Sequence, residues 1–535
     1  MATNSYEAVI RTAAILAPEL ILLLSAVAMM TLSAFISQPR RFWCRMATWA
    51  LLASTAALLW NAGRHTDVYA SVAINDAMSF WSRLVLLLTG FIVIGLAHDE
   101  PSDDRAGEFF GALVMVNAGA MLVAAANDVV FLFVGLELVS IPTYLLLYLS
   151  RRTPSTQEAA TKYFYLSIFA SGLLLFGLAY LYGLTGVGNL KAASYLIPKV
   201  PGMPNVGLGL VALVFVMAGL CFRVAAVPLH FYAPDVYQGS PTVIAALLSW
   251  VPKAVGFLAM LRALTFMFST SIELSQKAVM LCWVIAAATM TLGNFVALLQ
   301  ENLKRLLAYS SIAHAGYLMI GVTVAFANGE QRTELYHGAE GILFYLVAYS
   351  LMTLGAFGVI IGLRLGDRRV ETVRQLSGMG WTQPWPAAAL AVCLLSLSGI
   401  PPLLGFWGKF EIFASALAAQ DLEQSWNFMI LAVIGVLNAA VGAYYYLRIV
   451  VLMYLAPAGE ESRFGGGWPV AASVAACAGL TVLLGVFWGP VANAAREAAR
   501  DAATRPIPAT VNTTPVVIPV AAVAPAGAVP SAKTK

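Results

Sequence analysis

Residues 218–241 read AGLCFRVAAVPLHFYAPDVYQGSP, and residues 396–413 read SLSGIPPLLGFWGKFEIF. Each lies in an apolar run too long for one straight membrane crossing, 206–238 and 386–418. Prolines interrupt both runs near the middle: Pro228 with Pro234, and Pro401 with Pro402. Proline removes a backbone donor and breaks a helix. Inside a bilayer such a break survives only where protein or water satisfies the freed groups. The two stretches therefore predict two broken transmembrane helices with polar surroundings at their centres.

The rest of the chain agrees with a bilayer as solvent. Of 535 residues, 60% are hydrophobic and 11% are charged, with a mean hydropathy of +0.80. Soluble domains carry roughly 25% charged residues. A crossing needs about 20 apolar residues, and such blocks recur near 14–36, 43–62, 75–98, 109–126, 128–149, 159–183, 206–238, 241–266, 274–298, 305–326, 341–364, 386–418, 428–455 and 470–490. The expected fold is an all-α polytopic membrane protein of about fourteen transmembrane helices. The net charge of +4 gives no support for nucleic-acid binding. Five scattered cysteines contain no CxxC pair, so no metal cage is readable and they read as packing residues. Met1–Arg11 does not read as a cleavable signal. From about Arg505 the chain becomes rich in Pro, Ala and Val without helical period, and reads as a disordered tail.

The chain also resembles itself. Phe164-Tyr165-Leu166 is echoed by Phe344-Tyr345-Leu346, Ala254-Val255-Gly256 with Arg262 by Ala440-Val441-Gly442 with Arg448, and Val227-Pro228 by Ile400-Pro401. The offset spans five helices, an odd number, so the two units insert upside down relative to each other. Inverted repeats with one broken helix apiece are a transporter architecture, with the ion site near mid-membrane. The expected organisation is 1–108 for the first three helices, 109–267 and 268–456 for the two repeats, 457–504 for the last helix and its flank, and 505–535 for the tail. Lys and Arg concentrate in the loops after odd-numbered spans, among them Arg40, Arg41, Arg45, Arg151, Arg152, Lys304, Arg305, Arg368, Arg369 and Arg374. Those loops should face the cytoplasm and both termini the periplasm, although Arg496, Arg500 and Arg505 and the acidic 99–104 loop weigh the other way.

Burying a charge at a helix centre costs about 2.5–3.5 kcal/mol even on the mildest scale, so the charges inside these spans are candidates for function. Glu137 lies close to the midplane of its span. A carboxylate there can exchange protons; the competing reading is a structural ion pair. Lys253 lies too deep in its span to snorkel easily, and a lysine held out of water can cycle between charged and neutral forms. Lys409 follows the second break, where opened carbonyls are expected, with Glu411 as a possible partner. Arg223 precedes the first break; an arginine does not release its proton, but it can hold Glu137 ionised. Lys162 is only about four residues inside its span and can snorkel to the interface. His230, at the first break, and His314 can relay protons or serve as hydrogen-bonded core residues. Asp235, beyond the break, reads as a capping or interface residue.

Four segments together resemble a known family. FLFVGLELVSIPTYLLLYL (131–149), PLHFYAPDVYQGSPT (228–242), LKRLLAYSSIAHAGYLMIG (303–321) and SLSGIPPLLGFWGKFEIF (396–413) look like the antiporter-like membrane subunits of proton-pumping NADH:quinone oxidoreductase, respiratory complex I. GLELVSIPTYLLL and PDVYQGSP most resemble its subunit N branch, the counterpart of mitochondrial subunit 2. The resemblance covers roughly residues 10–490. It implies fourteen helices with two inverted five-helix repeats, and no redox cofactor in this chain; FMN, iron–sulfur clusters and quinone belong to other subunits. It implies partners in the other membrane subunits, including antiporter-like neighbours and the lateral helix of subunit L, in a bacterial inner membrane. The family's glutamate falls on Glu137 and its lysines on Lys162, Lys253 and Lys409. The position of a further family lysine holds Arg223, a departure that retains a cation beside Glu137 but puts titration there in doubt. Two other readings are a subunit of a cation/proton antiporter and a structural scaffold whose buried charges only fix helix packing.

Overall fold

In a computed structural model of the chain, the described residues are 10, 12–64, 71–150, 153–196, 206–265, 272–327, 336–366, 368–419, 425–457 and 462–504. Arg151, Arg152 and the tail from Arg505 lie outside them. Fourteen crossings follow in order: α1 (Ala17–Leu32), α2 (Arg40–Trp60), α3 (Ala77–Leu96), α4 (Ala106–Ala125), α5 (Val129–Ser150), α6 (Pro154–Thr185), the broken pair α7 (Val206–Val224) and α8 (Ala233–Gly239), then α9 (Thr242–Ala259), α10 (Ile272–Ala297), α11 (Leu303–Ala327) and α12 (Tyr336–Gly362). The second broken pair is α13 (Pro384–Ser398) and α14 (Leu404–Ala418), followed by α15 (Ser425–Leu455) and α16 (Gly467–Val486). Twelve of these helices are long and apolar enough to cross a membrane, and α1 and α13 are shorter apolar helices.

The two repeats pack alike. The α4–α5 pair of the first corresponds to the α10–α11 pair of the second, and α6 lies along α7 as α12 lies along α13 and α14. In the second repeat small residues allow the close approach: a Cβ on Gly316 would stand 2.6 Å from the Met290 backbone, and one on Gly293 2.6 Å from that of Ala313. Small residues at helix contacts are the usual device in membranes, where hydrophobicity does not drive helices together.

Burial is uneven in a way that locates the working part. Helix α9 is wholly buried and α11 and α12 nearly so, whereas only about a third of α2 and of α16 is buried. Three helices enclosed by others can carry polar side chains that lipid-facing helices cannot.

Three features were not anticipated. Two connections form a small sheet in the order β2-β1-β3, from β1 (Leu363–Leu365), β2 (Arg368–Arg369) and β3 (Ser462–Phe464). The end of the eighth crossing, Met260–Thr265, winds as a π-helix; there Arg262 grips Asp76, the N-cap of α3, through two hydrogen bonds of 2.6 Å. After α16 a further helix, α17 (Gly489–Thr504), crosses α3 and α12. Its Arg496 pairs with Glu340 at 2.5 Å, and its Asp501 accepts the Ala77 backbone N–H at 2.7 Å.

Candidate functional site: a buried polar axis

The first break sets the position of Arg223. Helix α7 ends at Val224, and Ala225 turns into the left-handed region at φ +57°, a conformation unusual for a residue with a side chain. The freed backbone groups find partners: Ala226 N–H donates to Cys221 O at 2.8 Å, Val227 N–H to Thr289 Oγ1 at 3.0 Å, and the Tyr232 hydroxyl to Phe222 O at 2.9 Å. Arg223, in the last turn of α7, then reaches across to α5. Its Nη2 lies 2.6 Å from Glu137 Oε1, and its Nη1 donates to Leu136 O at 2.9 Å and to Ser140 Oγ. Ser171 on α6 donates to the same Glu137 oxygen at 2.5 Å. Arg223 is almost fully buried, while Glu137 keeps 20% of its side chain accessible.

Lys253 sits on α9, directly after Pro252, and is 2% exposed. Its ammonium donates to Ser311 Oγ on α11, which also accepts the Tyr349 hydroxyl at 2.7 Å. Gly256, one turn farther along α9, is where α9 meets the end of α7; a Cβ there would stand 2.5 Å from Val224 Cγ1 and 3.6 Å from Arg223 Cβ. The Glu137–Arg223 pair thus adjoins Lys253 through helix packing.

One turn past Ser311, His314 is bracketed by phenols. Its Nδ1 shares a hydrogen bond with the Tyr345 hydroxyl, and its Nε2 lies 3.0 Å from the Tyr446 hydroxyl. A neutral imidazole donates through one nitrogen and accepts through the other, so a proton taken at one side can leave at the other. The Tyr317 ring packs edge-on against His314, with centroids 5.6 Å apart, and Lys409 Nζ stands 5.2 Å from the same ring's centroid.

Lys409 depends on the second break. Gly399, at φ +90°, ends α13, and its N–H returns to Leu395 and Ser396 carbonyls. The next two carbonyls, Leu397 O and Ser398 O, accept the Lys409 ammonium at 2.8 and 3.0 Å. A cation at the negative end of a helix dipole is a favourable placement. Gly408, beside it, makes room for the Tyr345 ring, which a Cβ would meet at 2.5 Å.

The structure brings Lys253, His314 and Lys409 into one connected set, with Glu137 and Arg223 adjoining. It places Lys162 apart from them, at the surface end of α6. There, 40% exposed, it bonds Glu158 at 2.7 Å and Asp235 at 2.9 Å, and Asp235 also receives Arg305 at 2.8 Å. Glu158, Lys162 and Asp235 line a cleft of about 380 Å3. His230 lies half-buried between the halves of the first break, its Nδ1 without a hydrogen-bond partner among the described residues. Glu411 does not pair with Lys409; it faces Arg496 at 4.0 Å. Ser311, Tyr345, Tyr349 and Tyr446 join the axis without having stood out in the sequence. Two wholly buried ion pairs outside the axis, Glu19–Arg83 at 2.8 Å and Asp76–Arg262, were likewise not singled out from the sequence. All four of these charges interrupt or border apolar blocks, the same signal that marked Lys253.

Paired broken helices around a chain of buried lysine, histidine and tyrosine define the class: an antiporter-like multi-pass membrane protein. The chain belongs to the NADH:quinone oxidoreductase/Mrp antiporter transmembrane family, whose model matches residues 126–438. It is 35% identical over 490 residues to NADH-quinone oxidoreductase subunit N of Trichlorobacter lovleyi, covering 91% of this chain and 96% of that one. It is 38% identical over 493 residues to NADH-quinone oxidoreductase subunit N 1 of Solibacter usitatus, covering 90% and 96%. Among solved structures it is similar to a chain of respiratory complex I from Thermus thermophilus with bound aureothin, at 32% identity and a TM-score of 0.73, covering 89% of this chain and 98% of that chain.

Proposed function

We propose that this chain is a subunit N-type membrane component of an NADH:quinone oxidoreductase, and that it carries protons across the membrane while other subunits transfer electrons from NADH to quinone. The observation that carries the reading is the buried run from Lys253 through Ser311, Tyr349 and His314 to Lys409. FMN, iron–sulfur clusters and quinone reside in or at other subunits. The neighbours are antiporter-like membrane subunits and the lateral helix of subunit L. The chain sits in a bacterial inner membrane with both termini on the periplasmic side.

The mechanism is electrostatic. A redox event elsewhere changes the charge at one end of the axis, and the Glu137–Arg223 pair opens or tightens. Two unit charges about 4 Å apart at an effective dielectric of about 20 interact by about 4 kcal/mol, or about three pKa units. A change of that size switches Lys253 between its charged and neutral forms. The proton passes through Ser311, the phenols and His314 towards Lys409. Arg223 keeps its proton throughout and acts by its field.

The test is NADH-driven proton pumping in membrane vesicles, with Lys253→Ala compared to wild type while NADH oxidation and subunit content are followed. An assembled complex that loses turnover and pumping together supports the path. Normal pumping per electron in the variant would sink it.

A further inference from the structure

A second polar cleft, of about 600 Å3, opens on the face that carries the basic loops. Its walls include Lys304, Arg364, Arg368 and Arg369, with Glu371 the one carboxylate among its described lining residues. Arg369 Nη2 is also held by Glu100 at 2.7 Å. Among the described residues, four cations therefore stand against two carboxylates. The small sheet sharpens this concentration. Arg364 lies directly opposite Arg369 across β1–β2 and opposite Arg463 across β1–β3. Cross-strand neighbours share a face, and like charges placed opposite each other destabilise a sheet. Arg369 Nη1 is buried without a hydrogen-bond partner among the described residues. The floor is set by Lys304, whose ammonium donates to Gln238 O at 2.6 Å and Ser240 O at 2.8 Å. Three long helices, α6, α9 and α11, also begin at the rim, through Thr156, Thr242 and Lys304. Their positive dipole ends add to the same field.

We propose that this cleft binds a phosphate-bearing anion, either free phosphate or the headgroup of an anionic phospholipid. The planar guanidinium forks of Arg364, Arg368 and Arg369 match phosphate oxygens, and hydroxyls such as Ser155 and Thr242 supply further donors. The cleft shares Ser155, Gln238, Gly239 and Glu371 with the cavity that holds Lys162 and Asp235. A bound anion there offsets the positive field at the mouth next to Lys162. It lowers the barrier to cations, protons among them, approaching from that face.

The assembled complex is purified and placed in nanodiscs of neutral phosphatidylcholine. Binding of radiolabelled inorganic phosphate at matched ionic strength is compared between wild type and R364Q/R368Q, without NADH, so that the result does not depend on pumping. A second arm uses discs containing an anionic diphosphate lipid, and counts lipid phosphorus retained after detergent exchange. Saturable phosphate binding weakened roughly tenfold in the variant, as lost charge-assisted contacts imply, supports free phosphate. Fewer retained anionic lipids in the variant supports the headgroup. Arg368→Gln alone, at an exposed position, serves if the double variant does not assemble, and should show the same loss in smaller measure. Equal phosphate binding and equal lipid retention in wild type and variant overturn the proposal.

Discussion

At Ser311 two donors meet one oxygen: the Lys253 ammonium and the Tyr349 hydroxyl. A serine oxygen has two acceptor positions and one proton of its own, so this residue can hand a proton onward without carrying charge for long. No sequence pattern marks such a serine, because hydroxyls are common in apolar helices. The lysines were legible because a charge among twenty apolar residues is visible at once. The tyrosines were not, since aromatic residues at helical spacing read as ordinary core. At this scale the Glu137–Arg223 pair gives a direct prediction. Glu137→Gln leaves Arg223 buried without its counter-charge, at a cost of roughly 3–5 kcal/mol. The expected result is a sharp fall in subunit content and thermal stability of the complex. E137Q/R223Q should recover most of that stability and still fail to pump. If E137Q alone assembles with unchanged stability, Arg223 does not depend on this carboxylate.

Among the elements, both broken helices were readable from their prolines, and the fourteen crossings from hydropathy alone. What hydropathy could not supply is how one break touches the next helix. That contact is made at Gly256, where α9 lies against the end of α7. Gly256→Ala should push Val224 away and cost about 1–3 kcal/mol, the usual range for overpacking. It should also reduce pumping more than assembly, because it shifts Arg223 relative to Lys253. V224A in the same chain removes the methyl in the way and should restore coupling. Failure of that rescue would mean that the approach of α9 to α7 is not what sets the coupling. The π-turn at Arg262 and the three-stranded sheet escaped sequence reading for a related reason. Each depends on partners distant along the chain, Asp76 for the first and Ser462–Phe464 for the second.

For the molecule as a whole, the orientation rests on where Lys and Arg fall. The five native cysteines are buried, so a membrane-impermeant maleimide should react only with introduced thiols. Arg368→Cys should label from the cytoplasmic side and Arg64→Cys from the periplasmic side; both positions are exposed. The opposite pattern would invert the whole arrangement. Helix α17 adds a matter of timing. The bond from Ala77 to Asp501 joins residues 424 apart in the chain. At about 5–20 residues per second of synthesis, the first partner waits in the membrane for tens of seconds before the second is made. During that interval the Asp76–Arg262 latch and the start of α3 lack their clasp, and a chaperone or a neighbouring subunit has its best opportunity to engage the nascent protein there.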